Sequence, residues 1–494
     1  MTKSIVRPMS YRQTIKPVRN RMRKFDYHSV LTAASNYLIE TDAHGADRER
    51  AARLPWVAER IAVWALRDEP SMYRHAKMSQ NDLRACINQA WNGIDASDVW
   101  RKSGHPLPLF MRQCLLAQVP HQQNRGMGAF ARQIDLLSRL KSNSRLRQVI
   151  ENHVGMRAEV YLQVAMFLWL KASVGIGDVF EPAYLETLTR AFGPGAMQSF
   201  WRTVITPRHV AGLALKDFDD DEWFQPNVLY RFPFVELHGR LYFWGAPCLH
   251  RHIEFAFSDI VANAKDKTAK QAFEDAFEAY TGESLRRSGF PVLDEDDVRR
   301  RFQVGGPCSD FMVIEDDATI VFEVKNKSLS LDLPASASVN KYKTKFKETL
   351  LKANTQLANV ASHVRKVPEF VNKPIHRVIV TYGDLMLGRS DYLFPDEDQA
   401  RDPVLILSID ELEQIVEAVR LKQCTMGQFF ADFLTRNNEP ARALFSPGHL
   451  LSEAPYQLHK PPAHLVAVYD AVLEPITERF EELSAQGATQ ASAL

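Results

Sequence analysis

Cysteine is scarce in this chain of 494 residues: it occurs five times, at Cys86, Cys114, Cys248, Cys308 and Cys424, and never as CxxC. Few and widely spaced thiols exclude a disulfide framework and a cysteine zinc site, and they fit a reducing compartment. Long apolar runs are missing too. The longest, Val160 to Leu170, is broken by Gln163 and followed by Lys171, far short of the ~20 residues that span a bilayer. No apolar core of a secretory signal follows the first residues, so a cytoplasmic protein without a membrane partner is expected. Net charge is nearly absent, with 61 Lys and Arg against 60 Asp and Glu. That total alone gives no reason to expect a nucleic-acid partner. What remains is ordinary: 45% hydrophobic and 24% charged residues describe a globular chain and exclude a disordered or collagen-like one.

Two absences are local. Residues 1–25 lack Asp and Glu but carry Lys3, Arg7, Arg12, Lys16, Arg19, Arg21, Arg23 and Lys24. They read as a basic N-terminal arm that touches nucleic acid or a partner chain. Tryptophan is absent after Trp244 although the chain has eight, which points to two parts of different make-up. Residues 26 to about 215 show apolar residues at three- and four-residue spacing, the pattern of helices. RFPFVELHGRLYFWGAP (231–247) reads as a β-hairpin turning at His238-Gly239, followed by a helix to about residue 262. The polar stretch 263–267 marks a boundary. Beyond it the order is helix, strand, strand, helix, strand, strand, helix, with Asp410 as N-cap of the last. The expected domains are 1–25, the arm; 26–265, mainly helical and ending in the hairpin and helix; 266–436, mixed α/β; and 437–494, a helical extension. The helical domain is the expected seat of any protein partner or homo-oligomer contact.

The segment that suggests chemistry is CSDFMVIEDDATIVFEVKNK, residues 308–327. Folded as a hairpin centred between Asp316 and Asp317, it sets Asp310 directly opposite Glu323. Side chains two apart on a strand share a face, so Lys325 joins them, while Phe311, Val313, Ile320, Phe322 and Val324 point the other way. Opposed Cβ atoms lie about 4.5–5.5 Å apart, and like charges so placed destabilise a sheet. A hard cation compensates: Mg²⁺ takes one or two carboxylates together with water and phosphate oxygens. A nearby lysine helps to orient or activate water for phosphodiester hydrolysis. A three-residue turn would slip the register and lose the facing pair.

These residues resemble the PD-(D/E)xK nuclease superfamily, over roughly residues 266–410. The resemblance implies an α/β fold, a restriction-endonuclease-like α/β/α sandwich, here with a large mainly helical N-terminal domain. By position Asp310 would be the first metal-binding acid, Glu323 the second and Lys325 the lysine that positions the attacking water, with Ser309 standing where the motif name has proline. The preceding helix offers Glu274 and Glu278, four apart and on one face. Either suits the helix glutamate of the family, with Glu274 favoured and counted with Asp310 and Glu323 as a metal ligand. Gln356 lies where some members carry a supporting glutamine, and Val360 stands where a tyrosine often follows. The implied activity is Mg²⁺- or Mn²⁺-dependent cleavage of nucleic acid, DNA first, in settings such as restriction, repair or defence against phage. A catalytically inactive nuclease-fold subunit of a nucleic-acid-handling complex is the alternative, and an RNA-directed nuclease a third.

Basic residues flank the motif. Lys327, Lys341, Lys343, Lys345 and Lys347 read as phosphate contacts or as a solvated loop and helix start, and Arg299, Arg300 and Arg301 as a surface loop able to bind phosphate. The small, polar loop 328–340 reads as a flap or as disorder. His250 and His252 lack a third ligand nearby and do not read as a metal pair.

Overall fold

Capping starts the described chain. The Ser10 hydroxyl accepts from the Gln13 amide while the Gln13 side chain accepts from the Ser10 amide at 2.8 Å, a reciprocal pair that launches a helix. In this computed structural model the described residues are 10–42, 47–96, 127–173, 179–214, 229–328, 339–385, 403–439 and 445–491, with positions 118, 121, 387, 393, 394 and 442. Among them the chain is mixed α/β, a large helical region with two small mixed sheets.

From residue 10 the expected basic arm is instead helix Tyr11–Met22. Ile15, Val18 and Met22 recur on one face and are buried, and the helix packs on helix Gln80–Ala96. The three- and four-residue spacing of apolar groups outweighs the basic composition. Helices Tyr27–Asp42 and Pro55–Arg67 complete this first core. Its floor is a three-stranded sheet of β1 (Ile205–Pro207), β2 (Phe234–Leu237) and β3 (Arg240–Phe243). The β2–β3 hairpin turns at His238 and Gly239, both left-handed with φ of 51° and 74°, the backbone a tight two-residue hairpin requires. Val235, Leu237 and Tyr242 face the first core, and Phe234 and Phe243 face a second.

The second core crosses the boundary expected near residue 265. Helix Ala246–Ala264 ends at Lys265 in a left-handed conformation, and helix Lys267–Arg286 starts from Asp266, whose carboxylate accepts from the Ala269 amide and from Arg145 Nε. The break is between helices only. Phe257 and Val261 before it share one apolar cluster with Phe273 and Phe277 after it.

The larger sheet runs β4 (Val292–Asp294), β5 (Phe311–Ile314), β6 (Thr319–Lys325), β7 (Ile375–Thr381) and β8 (Val404–Ser408). β4, β5 and β6 are antiparallel; β6, β7 and β8 are parallel. Side chains alternate between faces. Val313, Ile320, Phe322 and Val324 join the second core beneath helix Lys267–Arg286, while Met312, Val321 and Ile379 join a third core beneath helices Val339–Phe346 and Lys352–Val364. Residues 347–351 between those helices form a single wide turn, so the long helix expected there is continuous but locally swollen.

Helix Ile409–Arg420 is capped by Ser408 together with Glu411, not by Asp410. Asp410 sits in the first turn and accepts from Arg132, which also forks onto Glu413 at 2.8 and 2.6 Å. Among the described residues no helix is long and apolar enough to cross a membrane.

Candidate active site

The hairpin register decides whether the acids meet. Phe311 pairs with Phe322 and Val313 with Ile320, so the next step outward sets Asp310 opposite Glu323. The register is fixed at the tip. The Glu315 amide donates to the Ala318 carbonyl, and the buried Glu315 carboxylate accepts from the amides of Met426 at 2.8 Å and Gly427 at 2.7 Å, the N-terminus of helix Met426–Asn437. A Cβ on Gly427 would lie 2.5 Å from that of Ala318, so the tip and the helix meet with no spare room. At the open end Asp310 Oδ2 accepts from the Val324 amide at 2.6 Å, which fastens the first acid to the strand bearing the second.

Glu323 is wholly buried on the central strand. Its Oε1 is held by the Lys325 ammonium, and its Oε2 has no hydrogen-bond partner. Burial, and then the neighbouring Asp310 charge, push its pKa up to about 8 against the pull of Lys325. Burial also raises Asp310, opposed by the Val324 amide and Lys325. Glu278, at the solvent rim, is raised to about 7 by partial burial of its carboxyl and by the charges of Asp310, Asp275 and Glu295. Asp310 and Glu323 therefore face each other with Lys325 beside them, and Glu278 lies near enough to feel the charges of Asp310 and Lys325.

A divalent cation suits that set. The acids are oxygen donors with excess negative charge, and a buried carboxylate oxygen lacks a partner. Among the described residues no three His, Cys, Asp or Glu side chains are already grouped closely enough to close on an ion. One oxygen of Glu323 is instead engaged by Lys325.

Glu274, the favoured helix glutamate, is placed differently from Glu278. It lies one turn back, 3.9 Å from Lys270, and its charge acts on Lys327. Gln356 reaches the site through the backbone: its Nε2 donates to the Cys308 carbonyl at 2.9 Å and its Oε1 is buried without a partner. Asn359, one turn on, donates to the carbonyls of Gly305 and Pro307. Together they hold the approach to β5. Ser309, at the motif's proline position, is buried with its hydroxyl unpartnered.

The arginines expected on a surface loop lie on helix Glu295–Phe302, capped by Asp294. Arg299 binds Glu295 and the Gly306 carbonyl, Arg300 binds Asp297, and Arg301 lies over the rings of Phe302 and Phe370. All three are engaged locally, although Arg300 stays largely in water. Lys341, Lys343, Lys345 and Lys347 are exposed, and Lys327 is partly buried. Residues 329–338 of the expected flap lie outside the described residues. His252 contacts the Tyr161 hydroxyl at 2.7 Å, and burial lowers its pKa to about 4. His250 lies against Trp169.

Sequence reasoning missed Glu315, Asn359 and Glu295. Glu315 had one visible signal, an acid at a hairpin tip, but its partner amides come from residues more than a hundred positions away. No family model, curated protein or solved structure matches the chain.

Proposed function

We propose that the chain is a divalent-metal-dependent nuclease acting on DNA, with residues 266–436 forming a restriction-endonuclease-like unit. The observation that carries this reading is Glu323: a wholly buried carboxylate, opposite Asp310, with one oxygen on Lys325 and the other unpartnered. Such an acid is costly to stability, because two neighbouring buried carboxylates share one lysine. Helices on both faces of the sheet are in keeping with the architecture. Asp310, Glu323 and Glu278 would hold Mg²⁺ or Mn²⁺, which when bound supplies Lewis-acid activation of water and phosphate.

The chain's own part is preorganisation. The Val324 amide fixes the Asp310 carboxylate. Gln356 and Asn359 hold the 305–308 backbone that leads to it. Lys325, with its side chain 21% exposed, presents a positive charge where negative charge would grow on the phosphate oxygens. Through its contact with Glu323 it also keeps that acid oriented.

The deciding experiment incubates wild type and Lys325→Ala with plasmid, linear duplex, single-stranded DNA and RNA, in Mg²⁺ or in EDTA. Metal-dependent cutting of DNA, lost in the variant, is the expected result. Cutting of RNA alone changes the substrate. No cutting, with binding retained in both proteins, makes the chain a non-catalytic nuclease-fold subunit.

A further inference from the structure

Helix Tyr11–Met22 turns an apolar stripe inward and a basic stripe outward. Ile15, Val18 and Met22 are buried. Arg12, Lys16, Arg19 and the C-cap Arg23 follow one another at steps of four, three and four residues, the spacing that lines up side chains along one side of a helix. At about 1.5 Å per residue the basic row is roughly 16 Å long. Arg12 and Lys16 are exposed and form no ion pair among the described residues.

The other half of the row is fixed from below. Asp68 Oδ2 accepts from Arg23 Nε at 3.0 Å, and its Oδ1 accepts from Arg23 Nη2 at 2.9 Å and from Arg19 Nη2. The Asp68 side chain is 1% exposed, whereas those of Arg19 and Arg23 are 24% and 28% exposed. One carboxylate beneath two guanidiniums leaves a positive charge over, on planar forks that keep N–H donors for an anion and are already held in place. The basic surface continues past the helix. The Arg74 amide donates to the carbonyls of Arg23 at 3.1 Å and Phe25 at 3.0 Å, and the Asp26 amide donates to the Ala76 carbonyl at 2.6 Å. These bonds lay the segment with the exposed Arg74 and Lys77 against the helix end. The acids nearby are engaged: Asp26 accepts from the Ser29 amide at 2.8 Å, and Glu69 lies 3.8 Å from Arg208.

The company these cations keep selects the partner. A helix that lies in a lipid surface dips an apolar face into it, and a protein interface has an apolar or aromatic centre. Here the described aliphatic side chains face the core, and the exposed positions beside the cations are Gln13, Pro17 and Asn20. A long polyanion remains: over about 16 Å of axis, one strand of duplex DNA presents roughly five phosphates, one per ~3.4 Å. We infer that this face of the first core is a docking surface for the phosphate backbone of duplex DNA, independent of base sequence, with Arg12, Lys16, Arg19 and Arg23 as its rail. It stands whether or not the acids of the large sheet cut DNA.

The test is fluorescence anisotropy of the full chain in EDTA, with two duplexes of unrelated sequence and a salt titration. Arg12→Ala/Lys16→Ala weakens binding to both duplexes by roughly tenfold to a hundredfold, and the slope of log K against log salt falls by about two. Arg12→Lys/Lys16→Arg, which keeps the charges, binds as wild type does. Lys141→Ala/Lys366→Ala removes two exposed lysines elsewhere and leaves the slope unchanged. An unchanged slope in Arg12→Ala/Lys16→Ala overturns the assignment, and so does an equal loss in Lys141→Ala/Lys366→Ala. The same titrations on poly-glutamate and on phosphatidylserine-rich vesicles cover the other anions: a loss there with DNA binding intact makes the face a contact for an acidic protein or a membrane, and overturns the DNA assignment. Failure to cut DNA in Mg²⁺ or Mn²⁺ overturns the nuclease reading alone, because the salt slopes are read without metal.

Discussion

Asp68 in the N-terminal core and Glu323 in the large sheet are equally buried, each side chain 1% exposed, yet they sit at opposite electrostatic extremes. Burial alone would raise Asp68, but the guanidiniums of Arg23 and Arg19 more than offset it and hold the carboxyl below the usual range. Its oxygens accept from both arginines and from Tyr73. Glu323 has one lysine and a second carboxylate for a neighbour, and stands near 8. Burial is therefore not what separates these two acids. The difference is how much compensating charge the chain itself places around each carboxylate. Glu413, forked by Arg132 and touched by the Tyr280 hydroxyl, belongs with Asp68.

The comparison breaks most visibly in activity. Asp310→Asn or Glu323→Gln should lower metal-dependent DNA cleavage by roughly a thousandfold while leaving the metal-free protein as stable as wild type or more so, read by a cleavage assay and a thermal melt on one preparation. A melt that falls several degrees in Glu323→Gln would put Glu323 in the structural class with Asp68. Conversely, Asp68→Ala should destabilise the protein by about 3 kcal/mol in urea unfolding, because Arg19 and Arg23 lose their partner, with little change in the cleavage rate of the folded fraction.

The pH response is a smaller and sharper test. The raised Glu323 contributes stability that is fully present below the ordinary glutamate pKa and is lost as pH rises through about 8. Asp68, being depressed, contributes stability that is lost as pH falls. The Tm of the metal-free protein should thus decline from pH 6 to pH 9 in wild type and decline less in Glu323→Gln. Mg²⁺ should raise Tm more at pH 8 than at pH 6, because the cation displaces protons from its ligands. An equal gain at both values would mean that these acids do not hold the ion. Smallest of all is the contrast within one helix. Glu278→Gln should slow cleavage about tenfold, and Glu274→Gln should stay within about twofold of wild type with stability unchanged to about 0.5 kcal/mol. The reverse ranking would return Glu274 to the site.

The hairpin was the most legible part of the sequence. Strand periodicity and the acidic turn sufficed to pair Phe311 with Phe322, because a one-residue slip would carry Glu323 and Lys325 into the apolar core beneath helix Lys267–Arg286. The choice between Glu274 and Glu278 was not legible, since both lie on the same helix face and only the placement of that helix against β6 separates them. Composition misled at the N-terminus. The charges of residues 1–25 concealed Ser10 and Gln13 as a cap and Ile15, Val18 and Met22 as a buried stripe. A different obstacle arose at Asp294. Strand β4 has three residues, too few for a period to show, so the capped helix after it read as a loop. The cap expected at Asp410 stands two residues earlier, at Ser408, where Glu411 completes the reciprocal pair.

The contact of Glu315 with the amides of Met426 and Gly427 bears on when the site comes into being. A nascent chain that has emerged only as far as the end of β8 already contains both strands of the hairpin, Lys325 and the helix glutamates. It still lacks the helix that grips the hairpin tip. The tip of the hairpin that opposes Asp310 to Glu323 gains this grip once residues 425–437 have left the ribosome and docked. A translation product interrupted at the end of β8 would carry the whole motif without the contact that pins the hairpin tip.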